Sequence, residues 1–292
     1  MSVSSDGMRL DPRYVEARRV LLDALVALAP HASAVIVAGA QAVYLHTGDG
    51  DIAVAPYTTD GDLALDPTLL GDDPQLEEAM TAARFMLLPQ ASGHPEPGTW
   101  VATARIDNEE VPVSVDLIVP KAVASGGSRG ARLGVHGKRA ARQVPGIEAM
   151  LVDHSPRTIT ALDPADPRTV TAEVAGPAAL LIAKAFKLHD RIETGKPHRM
   201  DDKDAADVVR LMQTTSPTGA GATMARLSRD PMAGPTTITG LQYLDDLFGR
   251  RGRAGIVMAT RALQFGMPGA AIQILCTSYL ERLLEAARRT GS

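Results

Sequence analysis

Between residues 11 and 119 the apolar positions change period several times, and each change marks a new element. From residue 13 to 28 they recur at helical spacing behind Asp11-Pro12, an N-cap followed by proline at the first helical position, so an amphipathic helix is expected there. Residues 34–38 (AVIVA) form a short apolar strand that runs into Gly39-Ala40 and then into the helical QAVYLH. A polar loop rich in Gly and Asp over 47–59 leads to a second strand, DLAL at 62–65, and residues 74–86 read as another helix. Residues 100–106 and 111–119 are strand-like and separated by the turn-like Asp107-Asn108-Glu109-Glu110, which predicts an antiparallel hairpin.

The following stretch, 121–146, has no clear period and no acidic residue, and its Lys121, Arg129, Arg132, Lys138, Arg139 and Arg142 are interleaved with glycines. Two more strand-like runs, 148–152 and 157–162, precede a helix that starts at Gly176-Pro177 and continues through AALLIAKAFKLHDR. Further helices are expected over 201–212, 239–248 and 270–289, with Gly/Thr/Ser/Pro-rich breaks at 214–223 and 231–238. This order predicts an α+β (α/β-like) protein: a mixed-sheet lobe over residues 1–165, then a mainly helical lobe over 166–292.

Composition narrows the class without naming a function. With 45% hydrophobic and 22% charged residues, the 292-residue chain sits near the average for globular proteins, which excludes a wholly disordered, collagenous or coiled-coil chain. No apolar run approaches the roughly 18 residues needed to cross a bilayer. The start, MSVSSDGMRLDPRY, has no basic segment followed by an apolar one, so no secretory signal is read and a cytoplasmic location is expected. The single cysteine, Cys276, lies in the apolar run AAIQILCTSYL and reads as a small buried hydrophobe. The seven histidines show no zinc spacing, and no GxSxG elbow suggests a serine hydrolase.

Charge changes the picture once it is divided along the chain. Residues 1–120 hold 6 Lys/Arg against 18 Asp/Glu, and residues 121–292 hold 24 against 16, so the overall −4 is the sum of −12 and +8. An acidic part suits metal ions and a basic part suits phosphate, although two differently solvated halves would have the same charges.

The sharpest chemical feature is Thr58-Thr59-Asp60-Gly61-Asp62-Leu63. A strand points residues i and i+2 to one face, so the Asp60 and Asp62 carboxylates converge and repel unless a cation lies between them. A hard divalent ion such as Mg²⁺ takes oxygens from one or two carboxylates plus substrate phosphates; an Asp-Gly-Asp in a solvated turn is the plainer alternative. Asp116 sits in the otherwise apolar run VSVDLIV, where a carboxylate requires a partner, a metal or an exposed strand end. Gly39-Ala40, at the start of a helix, would offer backbone N–H groups to a triphosphate.

These residues resemble the polymerase-β-type nucleotidyltransferase superfamily, whose pattern is a Gly-Gly or Gly-Ser after the first strand, Asp-x-Asp, and a third acid on a later strand. Gly39-Ala40, Asp60-Gly61-Asp62 and Asp116 correspond to it, with Ala40 as the second small residue and a spacer of 19 residues. The later half adds a second likeness. Four of the six lysines, Lys184, Lys187, Lys196 and Lys203, fall within twenty residues. At roughly 100° per residue, Lys184, Lys187 and Arg191 form one stripe on a helix, and Asp204 and Asp207 share a face of the next helix, where they could orient the lysines. A solvated helix face is the alternative reading of the stripe. KAFKLHDR followed by KDAADV is similar to the AbiEii and MenT nucleotidyltransferase-like toxins of type IV toxin-antitoxin systems, over residues 35–212.

The resemblance implies a two-lobed enzyme with its site in the cleft between lobes, transferring nucleotides from an NTP to the 3′ end of tRNA and so blocking aminoacylation, and a separately encoded antitoxin. It implies that Asp60, Asp62 and Asp116 hold Mg²⁺, with Asp116 helping to deprotonate the acceptor hydroxyl. Gly39, Ala40, Thr59, Lys184, Lys187 and Arg191 would bind the nucleotide, and Asp204 or Asp207 would orient a lysine or the base. The residues of the basic stretch, Arg129, Arg132, Lys138, Arg139 and Arg142, have no acidic neighbour in sequence and are expected at RNA phosphates. Two rival readings are a nucleotidyltransferase acting on a small molecule or a protein hydroxyl, and a catalytically inactive binding module.

Overall fold

The computed structural model describes residues 10–48, 57–91, 93–124, 129–195 and 202–289. Residues 49–56 of the predicted Gly/Asp loop, 125–128 of the basic stretch, Lys196 and the expected helix start at Asp201 lie outside the described residues. The protein is α+β, with a mixed eight-stranded sheet and helices concentrated in the C-terminal half. Contacts divide the chain into two units. The first comprises residues 1–42, 56–144 and 154–174; the second comprises 43–55, 145–153 and 175–292. The sheet's last strand runs past residue 165, over Thr169–Ala175.

In the first unit, helix α1 (Pro12–Ala27) starts as its local signals require: the Asp11 side chain accepts from the Arg13 N–H at 2.8 Å, and Pro12 occupies a position where a helix needs no donor. Strands β1 (Val35–Ala38), β2 (Asp60–Leu65), β3 (Met86–Leu87), β4 (Thr99–Ile106), β5 (Glu109–Pro120), β6 (Arg142–Val144), β7 (His154–Thr160) and β8 (Thr169–Ala175) form one sheet. Its order is β3-β4-β5-β2-β1-β8-β7, with β6 added beside β5. The predicted hairpin is β4–β5, closed by Asp107 and Asn108 at φ 50° and 68°, the left-handed pair that a tight two-residue turn demands. Leu21 and Leu22 of α1 and Leu63, Leu65, Trp100 and Leu117 of the sheet are all closed to solvent, and the Trp100 indole N–H is satisfied by the Ala140 carbonyl at 2.8 Å.

Three expectations for this unit are corrected. The helix expected over 74–86 is only α3 (Leu76–Ala82): Arg84 takes φ 66°, which ends the helix, and Met86–Leu87 then pair with β4. Strand β8 was not expected, although its run TVTAEVA alternates polar and apolar residues, and β1 pairs with it in parallel. The basic stretch is not irregular throughout, since residues 142–144 form β6, parallel to β5.

The second unit contains residues 148–151 as a 3₁₀ turn rather than the expected strand, with the Glu148 carboxylate accepting from the Gly146 N–H at 3.0 Å. Helix α4 (Pro177–Thr194) starts at the predicted Gly176-Pro177 and ends at Gly195, whose φ of 56° is the left-handed stop a helix favours. It is followed by α5 (Lys203–Thr214), α6 (Pro217–Leu227), α7 (Gly234–Phe248), α8 (Ala254–Ala262) and α9 (Gly269–Arg289). The expected break at 214–223 is mostly α6, and α7 begins inside the second expected break. Ser216 caps α6 and Pro217 starts it, while Gly221 is where α9 comes close: a Cβ there would lie 2.4 Å from the Leu283 carbonyl. Glycine in these helices serves close packing, so composition alone misreads it as a breaker.

Candidate functional site

The acid pair takes its geometry from β2. Gly61, between Asp60 and Asp62, turns toward α1, where a Cβ would meet Leu21 at 3.2 Å and Val115 at 3.6 Å. Alternation along the strand then sends Asp60 and Asp62 to the opposite face, as the sequence predicts. Strand β5 lies parallel to β2 with Asp62 opposite Asp116, so all three carboxylates share that face. Both Asp60 and Asp62 are partly exposed. The buried Thr58 hydroxyl donates to Asp60 Oδ1 at 2.6 Å, holding one oxygen of the pair; Thr59, the expected nucleotide contact, is exposed.

Gly39 ends β1 and opens α2 (Gly39–Thr47) with φ 63°. Its backbone lies against the acid pair: a Cβ at Gly39 would fall 1.8 Å from Asp62 Oδ2. Two independent constraints therefore require glycine, the left-handed backbone and the carboxylate beside it. Ala40 follows, buried, in the first turn of α2. A helix start carries backbone N–H groups without intrahelical partners, here next to carboxylates that would repel an anion unless a cation intervened.

Asp116 departs from its expected role. Its Oδ2 accepts from Arg142 Nη2 at 2.5 Å, and its Oδ1 is buried without a hydrogen-bond partner among the described residues. Arg142, expected at RNA phosphates, is thus paired with the acid expected at the metal. The sequence hides this because the partners are 26 residues apart and meet only through the parallel β5–β6 pairing. Burial works to lower the Arg142 pKa, but Asp116, and beyond it Asp62 and Glu96, hold the guanidinium above its ordinary value. Arg129 likewise has an acidic partner, the buried Glu96 at 2.9 Å. Arg132, Lys138 and Arg139 are exposed.

Mg²⁺ suits the donor set of Asp60 and Asp62, two hard oxygen ligands on one face, with the Asp62 carboxylate lying directly against the Gly39 backbone. Among the described residues no group of three or more His, Cys, Asp or Glu is arranged to hold a metal ion, in keeping with the engagement of Asp116 by Arg142.

In the second unit, the expected stripe converges on one carboxylate. Lys184 donates to Asp204 and Asp207 at 2.6 Å each, while Lys187 at 3.3 Å and Arg191 at 2.5 Å also reach Asp204. The pairing of the lysines with both acids is as expected, but Lys184 is buried rather than on an open face, and Lys187 is the half-exposed member. Burial would lower the Lys184 pKa and raise that of Asp204. The facing charges outweigh it, so Lys184 is held well above and Asp204 well below its ordinary range. His189, beside the stripe, stacks on Tyr243 with ring centroids 3.7 Å apart.

No helix among the described residues is long and apolar enough to cross a membrane. Comparison with protein-family models, curated proteins and solved structures returned no match.

Proposed function

We propose that the protein is a Mg²⁺-dependent nucleotidyltransferase that uses an NTP as donor and modifies the 3′ end of tRNA, acting as a toxin whose antitoxin is separately encoded. The observation that carries the reading is the contact of the Gly39 turn with Asp62: a left-handed glycine at a helix start, held against an Asp-x-Asp pair on the adjoining strand. Bound at Asp60 and Asp62, Mg²⁺ would supply Lewis-acid stabilisation of the charge that develops on the phosphates. Asp60 and Asp62 would orient the donor, with Thr58 fixing Asp60 in place. The start of α2 would offer N–H groups to the phosphate chain beside the Asp62 carboxylate. In this chemistry positioning and charge stabilisation contribute most of the rate, which suits a site of fixed backbone and carboxylates.

The exposed Arg132, Lys138 and Arg139 favour a polyanionic acceptor over a small one. The test is incubation with each labelled NTP, Mg²⁺ and total tRNA. Label in RNA is the expected result; label in protein would move the acceptor to a protein hydroxyl. No label with any NTP would overturn the reading in favour of a binding module. Asp60→Asn and Asp62→Asn should each abolish transfer while the melting temperature does not fall, because either change removes a ligand and relieves like-charge repulsion; wild-type transfer by either variant would remove the metal assignment.

A further inference from the structure

We propose that Arg142, positioned by Asp116, is a built-in cation of this site that binds the phosphate chain of the nucleotide, so that the site uses one divalent ion and one guanidinium. The inference rests on the nucleotidyltransferase reading and deepens it. Asp62 and Asp116 face each other across β2 and β5, a like-charge pair that destabilises a sheet unless a cation compensates it. Arg142 supplies that cation. With one of three carboxylates neutralised, the face keeps two negative charges, those of Asp60 and Asp62, which match a single divalent ion.

Arg142 is held in place by its backbone. It is opposite Ile118 in the β5–β6 pairing and forms an antiparallel bridge with Gly130, and Gly98 packs so closely that a Cβ there would lie 2.4 Å from the Arg142 nitrogen. Its guanidinium has five N–H donors, and among the described residues its side chain makes one hydrogen bond, to Asp116. The side chain is 29% exposed, enough for a ligand to reach the remaining donors, whereas Asp116 Oδ1 is sealed from solvent. Asp116 is therefore the positioning residue and Arg142 the group that meets the ligand. A planar guanidinium anchored through one edge presents its other N–H groups in the fork that suits phosphate oxygens.

Two binding measurements on the full chain test this, with inorganic tripolyphosphate and Mn²⁺ as probes. In EDTA, tripolyphosphate should bind wild type, and Arg142→Gln should weaken it about tenfold or more, with Arg142→Lys in between. Because Arg142→Gln leaves a carboxylate unpaired, the double variant Asp116→Asn/Arg142→Gln removes both charges; it should melt near wild type and also lose tripolyphosphate. Mn²⁺ titration followed by electron paramagnetic resonance should give one ion per chain, lost in Asp62→Asn and retained within about twofold in Asp116→Asn, a distinction that a metal-ligand role for Asp116 would not produce. Tripolyphosphate binding unchanged in Arg142→Gln or in the double variant would overturn the proposal. So would Mn²⁺ affinity that falls in Asp116→Asn as far as in Asp62→Asn, with the nucleotidyltransferase reading intact. Unchanged Mn²⁺ binding in Asp62→Asn would instead remove the reading on which the proposal rests.

Discussion

Replacing Lys184 with Met separates what its charge contributes from what its bulk contributes, since Met has a similar length and adapts to irregular packing. In the wild-type protein the ammonium sits between Asp204 and Asp207, all three buried. After the substitution Asp204 keeps Lys187 and Arg191, but Asp207 has no other ion pair among the described residues and already carries an oxygen without a partner. The variant therefore holds a buried, uncompensated carboxylate. Breaking a buried pair in this way costs about 3–5 kcal/mol, well above the roughly 1 kcal/mol at most of an exposed ion pair. Urea denaturation at about pH 7, followed by far-UV circular dichroism, measures it. The double variant Lys184→Met/Asp207→Leu removes both charges and is expected within about 1 kcal/mol of wild type, because replacing a buried pair by apolar groups is often neutral. Acid and alkali give a second check. Asp204 is depressed, so its stabilisation is present above the ordinary value near 3.9 and is lost as pH falls below it; Lys184 is raised, so its stabilisation is present below about 10.4 and is lost as pH rises beyond it. The Lys184→Met variant should lack the alkaline edge. A single variant that loses under about 1 kcal/mol, or a double variant no more stable than the single, would refute the argument.

Three further outcomes are expected. Gly39→Ala places a Cβ on Asp62 and a side chain at positive φ, so it should lose about 1–3 kcal/mol on thermal or urea melting and lose nucleotide transfer; a stable, active variant would remove the close approach from the proposed site. Exchange of Lys138 and Arg139 together for Ala should flatten the log–log salt dependence of tRNA binding by about one to two units without changing which nucleotide is transferred, and an unchanged slope would take these residues out of the RNA footprint. Cys276 is buried on α9 and its thiol is pushed up to about 12 by burial, so iodoacetamide should label it only after denaturant is added; rapid native labelling would contradict its packing.

Local chemistry made part of this protein legible from its residues alone. Asp11-Pro12 marks the start of α1, Asp107-Asn108 the hairpin turn, and Gly176-Pro177 the start of α4, because caps and left-handed turns depend on a few adjacent residues. The shared face of Asp60 and Asp62 follows equally from the two-residue period of a strand. The partners of these groups do not follow, since each is set by a pairing distant in sequence. Asp116 looks like a third metal ligand until β6 comes alongside β5 and brings Arg142 to it, and the Lys184 stripe looks open until α5 buries Lys184 between Asp204 and Asp207. The same holds for α6, whose glycines resemble a loop in isolation and become a helix surface when α9 packs on Gly221. Periodicity and caps determine where a chain turns and which face a side chain takes, but the partner of a buried charge is determined by which elements the tertiary structure places side by side.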